Sequence, residues 1–245
     1  MVPEKQINEF VSRLRQAAGE NLQSVILYGS AADGEFHPEF SNVNLLCVLR
    51  DTSFAALSAI APAVEWWARR KHHAPLVLTQ EELERSADVF SIELLDMQQR
   101  HRVLFGEDVL SGLRIPMDLH RAQLEYELRE KLILLREHLL LGVGNKLRLW
   151  ELMFVSLSGF VTLFRHTLIA LGETPPKSKR ETVQALAARV QFDPSALLQL
   201  LDIRERKAQV KQFDVADVFA RYLAAIQQAT SAVDKMLESP GPRGA

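Results

Sequence analysis

The sequence predicts an α/β (α+β) domain built on a mixed sheet, followed by an all-helical bundle. Three observations carry that prediction. Two short, strongly apolar runs, 24–29 and 44–50, have the length of buried strands and enclose a polar segment with Gly and Pro. Helical patterns flank these runs on both sides. Beyond Ile115-Pro116 the apolar residues repeat at helical spacing almost to the end of the chain. The expected division is therefore 1–115 for the α/β domain, 116–238 for the bundle and 239–245 for a disordered tail.

Taken in order, residues 4–18 place Ile7, Phe10, Val11 and Leu14 on one stripe, which makes an amphipathic helix ahead of the first strand. The segment 32–41 between the two apolar strands is a loop and a natural ligand mouth. Residues 53–71 are helical in pattern, 75–79 form a third strand and 90–94 a fourth. Residues 97–110 read as a connecting segment that closes the domain. The later helices are expected at 117–141, 146–171, 179–190, 193–206 and 215–237, punctuated by Pro175-Pro176, Pro194 and Phe213-Asp214. The apolar run 149–171 is interrupted by Glu151, Arg165 and His166. Its uninterrupted part, 152–164, falls short of the ~20 residues a bilayer needs, so it is a core helix.

Bulk properties exclude several classes. The 245 residues are 47% hydrophobic and 24% charged, close to globular averages, which argues against disorder. A net charge of -2 argues against general nucleic-acid binding, because such proteins carry a strong basic excess. The N-terminus lacks the apolar core of a secretory signal, so a cytoplasmic location without membrane association is expected. The single cysteine, Cys47, lies in the apolar run 44–50 and is expected to be a buried small hydrophobe.

The most informative pattern is local. The strand Ser24-Val25-Ile26-Leu27-Tyr28 leads into Gly29-Ser30, and eleven residues later Ser41 precedes Asn42-Val43-Asn44. This arrangement resembles the polymerase-beta-like nucleotidyltransferase superfamily, most closely its bacterial aminoglycoside adenylyltransferase type. The resemblance implies a minimal nucleotidyltransferase sheet domain, in which Gly29, Ser30 and Ser41 bind the nucleotide. It also implies Mg²⁺ and ATP or another NTP as cofactors if the chain is active. In the family the pair after the serine reads Asp-x-Asp, with a third carboxylate on a later strand. Here the pair is Asn42 and Asn44, and the expected later strand, 74–79, contains no acid.

That substitution is chemically severe. Mg²⁺ is anchored by carboxylates together with substrate phosphates, and an asparagine offers only a neutral carbonyl oxygen. Each unit charge missing at ~4 Å from a dication removes on the order of several kcal/mol even at an effective dielectric near 20. At ~1.4 kcal/mol per tenfold, transfer should slow by several decades. Asp33, Glu35 and Asp51 are the acids available as replacement ligands. Three readings follow: a catalytically degenerate protein that retains nucleotide or phosphate binding or acts through a protein partner, an active Mg²⁺-dependent adenylyl or nucleotidyl transferase acting on a small hydroxylated molecule, and a pure protein-interaction module.

Other conspicuous residues have plainer readings. His72-His73 point to opposite faces of an extended chain and suit a strand edge. Arg100-His101-Arg102 suits either a phosphate or structural ion pairs. Helical domains of the HEPN type often accompany such transferase domains, and some carry an Arg/His ribonuclease motif. The pair available here, Arg114 and His120, straddles Pro116, where a continuous helix is disfavoured.

Overall fold

The computed structural model describes residues 2–34, 36 and 42–238, and the chain divides into two compact units between Asp118 and Leu119. Ser41, Glu35 and the expected tail 239–245 lie outside the described residues.

In the first unit, helix α1 (Glu4–Ala18) buries Ile7, Phe10, Val11 and Leu14. Four strands follow: β1 (Leu22–Tyr28), β2 (Asn44–Leu49), β3 (Leu76–Thr79) and β4 (His101–Gly106). They form a mixed sheet of order β3-β2-β1-β4, in which β1 runs antiparallel to β2 and β4 while β2 and β3 are parallel. Helix α2 (Phe54–Ala68) makes the crossover that a parallel pair requires. Alternation then sorts the side chains. Val25, Leu27, Leu45, Cys47 and Leu49 pack with Phe10 of α1 and Trp67 of α2. Ile26, Leu46 and Val48 face the other way, toward Leu83 of α3 (Gln80–Arg85) and Leu94 and Met97 of α4 (Ser91–Gln99). Both faces are covered, which is why β1 and β2 read as continuous apolar runs.

Two expectations need correction. Residues 90–94 belong not to a strand but to the start of α4, whose buried residues Ser91, Leu94 and Met97 recur every three positions. A five-residue apolar run fits either period, and the uncovered sheet face decided the matter. The fourth strand is instead β4, inside the segment read as a connector. It lies at the sheet edge and pairs only with β1, and edge strands tolerate charges such as Arg102.

The second unit comprises α5 (His120–Gly142), α6 (Lys146–Ala170), α7 (Lys179–Val190), α8 (Ser195–Arg204) and α9 (Val215–Glu238). Asn145 caps α6 by accepting from the backbone N–H groups of Leu147 (3.0 Å) and Arg148 (3.2 Å). Helix α6 touches α5, α7, α8 and α9, and 56% of its most apolar stretch is buried, although its length and hydropathy would suffice for a bilayer span. Several polar groups inside this unit are held by hydrogen bonds. The Arg204 guanidinium donates to the Phe154 carbonyl and to Ser158 Oγ (2.8 Å), and burial lowers its pKa to about 10. Ser156 Oγ and the buried Tyr222 hydroxyl share a hydrogen bond of 2.9 Å.

Candidate functional site

Several of the residues singled out by sequence, Gly29, Ser30, Asp33 and Asn44, lie at the end of the sheet where the chain leaves β1. Gly29 has φ +75°, a left-handed conformation that glycine adopts without strain, and residues Gly29–Ala31 form a single 3-10 turn. The turn is fixed on one side by β4, since the Gly29 N–H donates to the Arg100 carbonyl at 2.9 Å. On the other side stands β2. Antiparallel register sets Tyr28 opposite Asn44, and a Cβ placed on Gly29 would lie 3.5 Å from Asn44 Nδ2. Register therefore brings Gly29 and Asn44 together, with Ser30 next in the turn, while the exposed Asn42 precedes the strand. Ser41 lies outside the described residues.

The acids proposed as replacement ligands fare differently. Asp33 Oδ2 is 3.2 Å from Arg100 Nε, and both side chains are largely buried. Its charge is thus already engaged by a guanidinium. Asp51 lies beyond the opposite end of β2, roughly 20 Å from Asn44 at about 3.3 Å per residue, and cannot share a site with it. There it organises the entry to α2, accepting from Ser53 N–H (2.8 Å) and Ser53 Oγ (2.6 Å), and these bonds lower its pKa. Glu35 lies outside the described residues. The described donor set does not suit Mg²⁺: two neutral amides and one carboxylate paired with an arginine do not supply the charge that a hard, strongly hydrated dication demands. Among the described residues no group of three or more His, Cys, Asp or Glu is placed to hold a metal ion.

One acid near this end was missed by sequence reasoning. The phenol pKa of Tyr28 is raised by burial and, secondarily, by the charge of Glu93. Glu93 of α4 thus lies within electrostatic reach of Tyr28, whose side chain shares a sheet face with the opposite residue Asn44. Reading 90–94 as a strand concealed it.

The basic run after α4 resolves into structural pairs. Arg102 Nη2 reaches Glu4 at 2.7 Å, and His101 Nε2 lies 3.0 Å from both oxygens of Asp108 while its Nδ1 faces the Gln98 carbonyl. Asp108 also accepts from Ser111, and these bonds, Ser111 first, lower its pKa to about 2. His72 stacks on Trp67 at 3.9 Å and contacts Gln6 Oε1 at 2.7 Å, a packing role. Cys47 is fully buried, and burial raises its thiol pKa to about 12, which leaves it without nucleophilic character. Arg114 lies in irregular chain ahead of Pro116, outside any helix.

No family model matches the chain, and no curated protein matches it in sequence. Solved structures do. The crystal structure of spectinomycin adenyltransferase AAD(9) from Enterococcus faecialis with ATP and spectinomycin aligns with 94% of this chain and 99% of its own, at a TM-score of 0.57 and 15% identity. The chain therefore has a nucleotidyltransferase fold: a mixed four-stranded sheet domain followed by a helical region.

Proposed function

We propose that this chain is a nucleotidyltransferase-like protein that has lost metal-dependent transfer and keeps a nucleotide- or phosphate-binding turn at Gly29-Ser30. The observation that carries this reading is the pairing of Arg100 with Asp33 beside a turn flanked by the neutral side chain of Asn44. An asparagine amide can donate to a phosphate oxygen, and Arg100 neutralises the nearby Asp33 carboxylate that would otherwise repel an anion. Both changes favour an anion bound directly. Neither gathers Mg²⁺ to activate an attacking hydroxyl or to stabilise a leaving pyrophosphate. The helical unit then serves as the surface for a protein partner.

A second reading, adenylyl transfer to a small hydroxylated molecule, draws on the fold likeness and on Glu93. It requires Glu93 to act with a further acid near Asn44. Calorimetric titration with ATP and with GTP, each with and without Mg²⁺, separates the two. The degenerate reading expects weak binding of similar affinity in both conditions, abolished by Gly29→Val. Binding that needs Mg²⁺ would favour the transferase, and no heat under any condition would sink both in favour of a pure interaction module.

A further inference from the structure

The outer seam of the α5–α6 hairpin holds an open groove of about 610 Å³. Its floor includes the small residues Ser156 and Gly159, and Leu134, Leu141 and Val155 stand along its walls. On α5, Leu134, His138 and Leu141 recur at i, i+4 and i+7. On α6, Leu152, Val155 and Gly159 recur at i, i+3 and i+7. That is the spacing of a helix face that packs against another helix. Yet Leu141 and Val155 are 76% and 75% exposed.

The tip of the same hairpin supplies the complement. Leu140, Val143 and Leu147 protrude there at 79%, 70% and 80% exposure. One chain thus carries both a groove floored by small residues and apolar knobs of the size that would fill it. The groove wall also carries both signs of charge, since Arg148 and Glu151 lie three residues apart on α6. A surface of one sign would repel its own copy, whereas this one can be self-complementary.

We propose that this face is a two-fold self-association surface. A second copy of the chain seats its hairpin tip in the groove and receives this tip in its own, with each Arg148 set against the partner's Glu151. Such a contact meets the requirement of a two-fold interface that residue i touch j and j touch i. The helix stretches lining the groove are about 20 Å long, and two adjacent helices are about 20 Å wide. The contact therefore covers about 400 Å² per partner, the size of a weak, transient association. A membrane is the weaker occupant, because most of the apolar surface of α6 is already buried and the groove wall is charged.

Sedimentation velocity of the full chain from about 1 to about 200 µM tests this. The expected result is a monomer–dimer equilibrium that Val155→Asp weakens at least tenfold. Arg148→Glu and Glu151→Arg should each weaken it, and the double reversal should recover it. All three positions are exposed, and circular dichroism would verify that each variant is folded. A chain that stays monomeric throughout, a dimer indifferent to Val155→Asp, failure of the double reversal to recover it, or binding of this face to phosphatidylcholine vesicles instead would each overturn the proposal.

Discussion

At the scale of single residues, the clearest consequence of burial is at His166. Its imidazole is 1% exposed, and its pKa is lowered to about 3, chiefly by burial and then by His120 and Arg165. The unfolded chain takes up a proton near the ordinary histidine value of about 6.5, and the folded chain does not. Stability contributed by the neutral ring is therefore present above about pH 6.5 and is lost as pH falls toward about 3. Between about pH 7 and about pH 5 the loss should be about 2 kcal/mol. His120, whose pKa is also lowered by burial, acts in the same direction. Urea unfolding at the two pH values reads this directly. His166→Phe keeps an aromatic ring and removes the titration, so its loss over the same interval should be smaller by about that amount. An equal loss in the variant would refute the assignment.

At the scale of elements, the β1–β4 contact leaves no room for a side chain at Gly106. The register of β4 slips between Val103 and Phe105, where Leu104 is an extra residue, and the strand ends at Gly106 with φ +76° opposite Ser24. A Cβ on Gly106 would run into the backbone carbonyl of Gln23. The buried Ser24 hydroxyl donates to the Glu107 carbonyl at 2.7 Å, which holds the chain in that close approach. Gly106→Ala combines left-handed strain of about 1–2 kcal/mol with a clash against backbone that cannot yield cheaply, so destabilisation of about 3 kcal/mol or more is expected. Chemical denaturation would show it as a lower midpoint. A variant within about 0.5 kcal/mol of the native chain would mean that β4 can be released without loss.

At the scale of the whole molecule, the proposed loss of metal-dependent transfer has a thermodynamic signature. Ligand linkage makes this measurable, because a ligand at tenfold its dissociation constant stabilises by about 1.4 kcal/mol. In the presence of ATP, adding Mg²⁺ should leave the melting temperature of the native chain unchanged. The double variant Asn42→Asp, Asn44→Asp should gain stability under the same conditions. An equal gain in both proteins would mean that a metal site already exists.

Sequence alone was enough for whatever depends on local periodicity and on residue chemistry. The stripe of α1, the apolar runs of β1 and β2 and the all-helical second half were legible there. So was the glycine turn, because few other residues can hold that backbone conformation. Tertiary structure decided the remainder. Whether 90–94 became strand or helix depended on which sheet face needed cover, and 101–106, apolar only at Val103, Leu104 and Phe105, became a strand because β1 offered an open edge. Asp33 and Asp51 looked equivalent along the chain. Pairing of strands placed one against Arg100 and the other at the far end of β2. Local patterns fix which face of an element is apolar, but the partners of a charged side chain follow from how distant segments are brought together, and that is set only when the whole core packs.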